Sequence, residues 1–95
     1  MQKNNLFNGS EAGKKSRQLI NKNGQKVLFL RFSRGDQMAP HSAPVDVLAL
    51  VLEGRLGIRL AGEQAEFERG DYVIFPAGAT HALQCLEDAS LVLFK

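Results

Sequence analysis

The chain contains two histidines, His41 and His81, and a single cysteine, Cys85. Imidazole is the side chain that changes charge near neutral pH, and it is also a common metal ligand. Each histidine follows a turn-forming segment: Gly35-Asp36 precedes the first, and Pro76-Ala77-Gly78 precedes the second. Hydrogen bonding, proton transfer or metal binding by these two imidazoles is therefore the first chemistry to consider.

The segments that must position the histidines have the composition of β-strands. Short runs rich in valine, leucine, isoleucine and phenylalanine alternate with glycine-containing corners, which is typical of short antiparallel strands. Strands are predicted at Val27–Phe32, Val45–Leu52, Leu56–Leu60, Gln64–Glu68, Tyr72–Phe75, Thr80–Leu86 and Leu91–Phe94. We expect Glu53-Gly54 to end the second strand, Ala61-Gly62-Glu63 to form a hairpin turn, and residues 36–38 to be a loop. The predicted class is all-β, a small antiparallel sandwich or barrel.

The spacing of glycine, proline and histidine resembles the two signature motifs of the cupin superfamily. The first motif reads Gly, five residues, His-x-His, three or four residues, Glu, six residues, Gly; the second reads Gly, five residues, Pro-x-Gly, two residues, His, three residues, Asn. The matching positions are Gly35, His41, Gly54, Gly70, Pro76, Gly78 and His81. The resemblance covers about residues 27–94, and it implies a jelly-roll-like β-barrel with both histidines facing one pocket.

The resemblance also implies a metal-ligand set, which this chain keeps only in part. In metal-binding cupins the two histidines and the glutamate of the first motif hold the metal together with the histidine of the second. Here Ala43 and Val47 stand at two of those positions, so His41 and His81 remain. Asp46 lies one residue before the glutamate position, and on a regular strand its side chain points to the opposite face. Cys85 shares a face with His81, but the two residues are roughly 13 Å apart along an extended strand. That is too far for both to bind one zinc ion.

Three interpretations of the histidine pair stay open. A metal centre with zinc, nickel, iron or manganese could be completed by water, a bound ligand or an irregular Asp46. A metal-free pocket lined by His41, His81, Ala43 and Val47 could hold a polar small molecule. The two imidazoles could instead satisfy each other or the backbone inside the barrel.

These interpretations lead to three hypotheses about function. The first is a small-molecule-binding cupin-domain protein with a degenerate metal site, its ligand held in the barrel near His41 and His81. The second is a metal-dependent enzyme of the dioxygenase or isomerase type with a sparse two-histidine centre. The third is a structural dimerisation module. The fold cannot choose among them, because one fold hosts many functions.

A few other side chains receive weaker predictions. Arg31 and Arg59 lie in predicted strands, where arginine usually faces solvent, although either could reach inward to bind a carboxylate. We expect Tyr72, Phe75 and Phe32 to pack in the core rather than form a ligand platform. Cys85 is expected to be a small buried core residue, since no histidine is placed in the sequence to activate it.

Length and composition restrict the remaining possibilities. Ninety-five residues suit one domain, here residues 17–95, preceded by a flexible polar arm over residues 1–16. The longest apolar run, Val47–Leu52, is too short to span a bilayer, and the first 16 residues lack the apolar core of a signal peptide. With one cysteine no internal disulfide can form, so we expect a cytoplasmic protein that does not bind membranes.

The charge is distributed unevenly along the chain. Residues 1–35 carry eight Lys or Arg and one Glu, whereas residues 36–95 carry four Lys or Arg and nine Asp or Glu. The basic residues form no continuous block and accompany no nucleic-acid-binding motif, so no nucleic-acid partner is expected. The opposite charges of the two segments favour pairing of two copies, and small cupins of this kind commonly pair. We therefore expect a homodimer, with Arg17–Ile20 as an element that could be exchanged between copies.

Overall fold

The computed structural model of the chain describes residues 1–9 and 13–95. Seven strands and no helix occur in this part of the chain. The strands are β1 (Ser16–Lys22), β2 (Gln25–Phe32), β3 (Gln37–His41), β4 (Val47–Leu60), β5 (Glu63–Glu68), β6 (Tyr72–Phe75) and β7 (His81–Phe94). The predicted all-β fold is confirmed. The search for membrane-crossing helices, made over the same residues, finds none.

All seven strands join one antiparallel sheet that folds over into two layers. The first layer has the order β1-β2-β7-β4-β6 and uses the C-terminal half of β7 with the N-terminal half of β4. The second layer has the order β3-β7-β4-β5 and uses the other halves of the same two strands. The result is a barrel of the predicted kind, although its sheet is not strictly closed within the described residues.

A corner in β4 and β7 turns one layer over the other. The β4–β7 register shifts repeatedly between Val51 and Leu56, which marks a β-bulge. Gly54 lies at this corner with φ of +77°, a conformation that favours glycine. A Cβ atom there would overlap the carbonyl oxygen of Asp88 and lie 2.6 Å from the Cα of Ala89. Glycine therefore permits both the backbone conformation and the close approach of the two strands.

Three predictions of strand limits are wrong, two of them because of this corner. Glu53-Gly54 does not end a strand, because the bulge absorbs the glycine and β4 continues to Leu60. The predicted strands at 80–86 and 91–94 are parts of one strand, β7. Residues 37–38, expected to be a loop, belong to β3, whose backbone pairs with β7. The hairpin at Ala61-Gly62 is confirmed, with φ of +50° and +86° at these two residues.

The hydrophobic core lies between the two layers. Val47, Ala49 and Val51 contribute to it from the first layer, and Leu56 and Ile58 from the second. Cys85, which is 1% exposed, belongs to the same cluster, so its predicted burial is confirmed. Burial raises the pKa of its thiol, and nearby Asp88 and Asp36 act in the same direction. Cys85 is therefore a core thiol that stays protonated at neutral pH.

The N-terminal region contributes one edge strand. β1 begins at Ser16, the last residue of the predicted arm, and Arg17–Ile20 pairs with β2 of its own chain. Phe7 of the arm packs edge to face on Phe29, with the ring centroids 5.9 Å apart. Residues 10–12 of the predicted arm lie outside the described residues, and the flexibility of the arm stays a prediction.

Candidate functional site

The two histidines lie at adjoining ends of paired strands. His41 is the last residue of β3, His81 is the first of β7, and the two are direct partners in the antiparallel ladder. Their ring centroids are 4.3 Å apart and their planes are inclined by 64°. The barrel therefore brings together two imidazoles that are distant in sequence.

Each imidazole is oriented by a backbone carbonyl two residues earlier. Nδ1 of His41 donates to the oxygen of Ala39 at 2.8 Å, and Nδ1 of His81 donates to that of Ala79 at 3.2 Å. Because a carbonyl oxygen can only accept, the proton of each neutral ring lies on Nδ1. Nε2 of each ring then has a lone pair free of the backbone, able to accept a hydrogen bond.

The approach to His81 depends on the Pro76-Ala77-Gly78 turn. The backbone NH of Ala79 donates to the carbonyl of Pro76 at 3.0 Å, and Gly78 takes φ of +80°. The NH of Gly78 also donates to the carbonyl of Ala43 at 2.8 Å, which ties this turn to the loop after His41. The glycine-proline spacing of the second motif thus fixes the position at which β7 begins.

His81 is the buried member of the pair. It is 8% exposed, whereas His41 lies at the surface. Its ring stacks on Phe75, with a centroid separation of 4.0 Å and an interplanar angle of 2°. Burial lowers the pKa of His81, the hydrogen bond to Ala79 opposes this, and the charges of His41 and Lys95 add to the lowering. At neutral pH His81 is therefore a neutral hydrogen-bond acceptor at Nε2.

A cavity of about 240 Å³ lies between the layers beside the two histidines. Most of its wall is hydrocarbon, contributed by both layers, including Leu30, Val47, Ala49, Ile58, Leu91 and Leu93. Ala43 and Val47 line this cavity together with His41 and His81, so all four predicted pocket residues border the same space. The polar side chains on its wall are those of His41, Ser42, His81 and Lys95.

The residues present do not fit the four-ligand metal site that the resemblance to the cupin motifs implies. Ala43 and Val47 present only hydrocarbon to the cavity at the two other ligand positions. Asp46 does not replace them, since its Oδ1 accepts a hydrogen bond from the NH of Ala77 at 2.8 Å. Within residues 1–9 and 13–95, no group of three or more His, Cys, Asp or Glu side chains could hold a metal ion. Of the four positions, only His41 and His81 thus offer a side-chain donor to a metal.

The weaker side-chain predictions have mixed outcomes. Phe75 and Phe32 pack on or in the core as predicted, but the expectation for Tyr72 is wrong, because it is 63% exposed. Tyr72 pairs with Leu50 at the edge of the first layer, on the side away from the core. Arg59 is exposed, and its Nη2 donates to Oε1 of Gln64 at 3.3 Å. Arg31 is half-buried and borders a second, polar depression at the corner rather than the histidine cavity.

The site also includes residues that the sequence analysis did not select. Ser42 directly follows His41, so its place beside the motif histidine was a usable signal. No sequence signal pointed to Lys95, because it approaches the cavity only when the corner folds the C-terminal end of β7 back over the N-terminal end of the same strand. The backbone NH and carbonyl of Lys95 both bond to Lys26, which holds it in place.

Comparison with known proteins agrees with this architecture. The model of the Cupin domain family matches residues 28–94. A conserved protein of unknown function from Streptococcus pyogenes has a similar structure, with 26% identity, a TM-score of 0.78 and an alignment covering 83% of this chain and 69% of that one. A cupin 2 conserved barrel domain protein from Leptotrichia buccalis gives 28% identity and a TM-score of 0.78, covering 83% and 38%.

One similar fold belongs to an enzyme. Salicylate 1,2-dioxygenase from Pseudoaminobacter salicylatoxidans, solved in complex with gentisate, has 21% identity and a TM-score of 0.76, covering 83% of this chain and 24% of that one. At this identity the similarity shows the fold alone. Among proteins with curated functions, none matches the chain significantly in sequence.

Proposed function

The chain belongs to the Cupin domain family, and on that premise we propose that it binds a small molecule in the cavity between its layers, with the polar end of the ligand at His41 and His81. The observation that carries the proposal is the composition of the cavity: two adjacent imidazoles at one place on an otherwise mostly hydrocarbon wall. Such a wall with a few convergent polar groups is typical of small-molecule sites.

The dimensions and chemistry of the cavity suggest a ligand class. Its volume of about 240 Å³ is below the ~300–1,000 Å³ typical of sites for drug-sized ligands. The ligand is therefore compact, with an apolar body. Because Nε2 of neutral His81 accepts hydrogen bonds, the polar end of the ligand should donate one, as a hydroxyl group does. The ammonium group of Lys95 would favour a second, electron-rich group on the same ligand.

The proposal does not need a bound metal. Hydrocarbon side chains occupy two of the four family ligand positions, so a divalent ion would have two protein ligands, fewer than the three or four usual for zinc sites. The same hydrocarbon surface favours the apolar body of an organic ligand. The cavity thus suits direct hydrogen bonding to the ligand better than coordination through an ion.

Two probes with a common ring test the proposal: phenol and toluene. We expect phenol to shift the amide NMR signals of residues that line the cavity, such as Ala49 and Leu83, and to bind more tightly than toluene. His81→Phe should remove the advantage of phenol over toluene while leaving toluene binding largely intact. Tyr72→Phe, an exposed change away from the cavity, serves as the matched control.

The same titrations, run before and after treatment with a chelator, separate the alternatives. Phenol binding that is unchanged by chelation supports a metal-free pocket. Binding that appears only with added nickel or zinc would instead indicate a two-histidine metal centre. If neither probe shifts a cavity signal at millimolar concentration, the proposed function is wrong.

A further inference from the structure

Arg17 is a half-buried cation in the edge strand β1, and no carboxylate within residues 1–9 and 13–95 pairs with it. Its Nη1 is covered by protein and makes no hydrogen bond. Nε of Arg55 is also covered and unbonded, but Glu66 and Glu87 lie near that guanidinium group, at 3.8 and 3.9 Å. A covered nitrogen without a partner is costly and therefore unusual in a folded protein. Arg17 is thus a cation whose charge the described part of the chain does not balance.

Strand pairing places Arg17 on the side of the first layer that faces away from the core. Arg17 pairs with Phe29 of β2, and the same cross-strand row continues through β7 and β4 to the exposed Tyr72. Directly paired residues of an antiparallel sheet project to the same side. Phe7 packs on Phe29, so the N-terminal arm crosses the sheet beside Arg17. This surface is separate from the histidine cavity, which lies between the layers.

A groove of about 410 Å³ lies between the arm and β1. Three consecutive residues of the arm and three of β1 line it: Asn4, Asn5, Leu6, Arg17, Gln18 and Leu19. Three of these side chains end in a carboxamide, one ends in a guanidinium group, and two are hydrocarbon. No Asp or Glu is among the described residues of the wall. The groove therefore combines one positive charge with neutral polar groups and a small apolar surface.

A bulge explains how three consecutive residues of one strand reach the same groove. In a regular strand, successive side chains point to opposite faces. The register between β1 and β2 shifts between Gln18 and Ile20, so Leu19 is an extra residue without a partner in β2. Leu19 is 40% exposed. Bulges redirect side chains in this way and are common beside functional sites.

A local hydrogen bond orients the amide group of Asn5. Its Oδ1 accepts from the backbone NH of Phe7 at 2.8 Å. The NH2 group is therefore the part of this carboxamide that remains for a ligand, and it can only donate. Arg17 likewise has donors and no acceptor. The arm and β1 thus both offer hydrogen-bond donors to the groove that separates them.

From these observations we infer that the groove between the arm and β1 is a second ligand site, which binds a small carboxylic acid with a short hydrocarbon chain. The planar guanidinium group of Arg17 matches the two oxygens of a carboxylate, and the NH2 group of Asn5 donates to the same anion. The hydrocarbon chain lies against Leu6 and Leu19. Inorganic phosphate would balance the charge but leave both leucines in water, so a carboxylate with an apolar chain fits better. The bound acid joins the arm to β1.

NMR titration of the full chain with hexanoate tests the inference, at about 0.15 M salt to screen general attraction between exposed charges. We expect hexanoate to shift the amide signals of Leu6, Arg17 and Leu19 at millimolar concentration. Acetate should bind at least about fourfold more weakly than hexanoate, the effect of one buried methylene group. Inorganic phosphate should also bind more weakly. Amide signals of Ala49 and Leu83 report separately on the histidine cavity.

Variants of the two arginines separate a built site from general attraction. Arg17→Gln should weaken hexanoate binding at least about tenfold, because it removes a hydrogen bond between charged groups. Arg59→Gln is the matched control: it removes the same charge, but Arg59 is exposed in the second layer beside Gln64. Arg17→Lys keeps the charge without the planar fork and should weaken binding less than Arg17→Gln.

A change in the apolar wall tests the class of the ligand. Leu19→Ser should bring hexanoate binding close to that of acetate and leave acetate binding largely unchanged. This result would show that the hydrocarbon chain contacts the groove. Equal binding of acetate and hexanoate by the wild type, or phosphate binding as tight as that of hexanoate, overturns the ligand class.

The remaining outcomes decide whether the site exists. Loss of the hexanoate shifts in Arg17→Gln and their persistence in Arg59→Gln support it. Equal weakening by these two variants overturns it, since binding would then follow net charge alone. A titration that moves no signal of Leu6, Arg17 or Leu19 up to about 10 mM also overturns it. None of these results depends on ligand binding in the histidine cavity.

Discussion

The imidazole of His81 lies parallel to the ring of Phe75, at an angle of 2° and a centroid distance of 4.0 Å. The two rings come from different layers, since Phe75 pairs with Val47 near the start of β4 and His81 pairs with Leu60 at its end. The stack therefore joins the layers beside the cavity. It also covers one face of the imidazole with hydrocarbon, which helps to keep this histidine neutral.

The first prediction concerns stability and pH. Burial lowers the pKa of His81 from its ordinary value of 6.5, so the unfolded chain takes up this proton more readily. The lowered pKa of His81 therefore stabilises the folded protein fully above pH 6.5. This stabilisation is lost as the pH falls below 6.5 and through the lower pKa that His81 has in the folded state. We expect urea unfolding of the wild type to show this decrease between pH 7 and pH 5, and His81→Gln to show less of it.

Asp36 also has a shifted pKa, but its titration does not affect stability between pH 7 and pH 5. The backbone NH of Ser33 bonds the carboxylate of Asp36 at 2.8 Å, and this bond is the main cause of the lowered pKa of Asp36. Its contribution is present above its ordinary pKa of 3.8 and is lost only at more acidic pH. A wild type whose stability is constant between pH 7 and pH 5 would contradict the assignment to His81.

The second prediction concerns the interaction between the two imidazoles. Replacing His41 by glutamine removes a positive charge that lowers the pKa of His81, so this pKa should rise. It should stay below the ordinary value, because burial is the larger cause. NMR titration of the His81 ring protons in the wild type and in His41→Gln measures the shift. An unchanged His81 titration would mean that the rings do not interact electrostatically in solution.

The third prediction concerns the corner. In Gly54→Ala the alanine must adopt a left-handed conformation, which costs about 1–2 kcal/mol of stability. Its Cβ must also displace the backbone of Asp88, which costs about 1–3 kcal/mol more. Gly62→Ala is the matched control, since Gly62 has φ of +86° but no atom within 4 Å of a Cβ. Urea unfolding should show the larger loss of stability for Gly54→Ala. Equal losses would mean that the close approach of β4 and β7 is not rigid.

The fourth prediction restores the family metal site. Ala43→His combined with Val47→Glu adds two ligands on the wall of the cavity that already holds His41 and His81. Val47 is 3% exposed, so the new carboxylate should destabilise the metal-free protein. Thermal melts should show a lower midpoint for the double variant, and recovery on adding nickel or zinc.

Calorimetric titration of the wild type and of that double variant completes this test. Tighter binding by the double variant is expected, because it offers four ligands in place of two. If it folds but binds metal no better than the wild type, the correspondence of Ala43 and Val47 with the family ligand positions is wrong.

The turns were the most predictable part of the fold, because their residue types act locally. Ala61-Gly62 and Pro76-Ala77-Gly78 form turns as expected. Asn23-Gly24, with φ of +54° and +80°, forms the tight turn between β1 and β2, and this dipeptide is a strong hairpin signal that was available in the sequence. The strand residues on either side of this turn were not predicted, because they are polar and rich in lysine and asparagine.

The corner and its consequences could not be predicted in this way. Glycine at position 54 is compatible with either a turn or a bulge, and only the partner strand decides between them. Whether β4 ends or bends there depends on pairing with β7, far along the chain. The exposure of Tyr72 and the approach of Lys95 to the cavity follow from the same long-range pairing, so local patterns carried no information about them.

The shared strands also have a consequence for how the molecule unfolds. Because β4 and β7 each belong to both layers, neither layer can lose its two central strands while the other stays intact. Opening of the cavity by separation of the layers would break hydrogen bonds on both sides of Gly54 at once. The most slowly exchanging amide protons should therefore lie along β4 and β7 in both layers and exchange together, in a single cooperative unit that includes the ligand cavity.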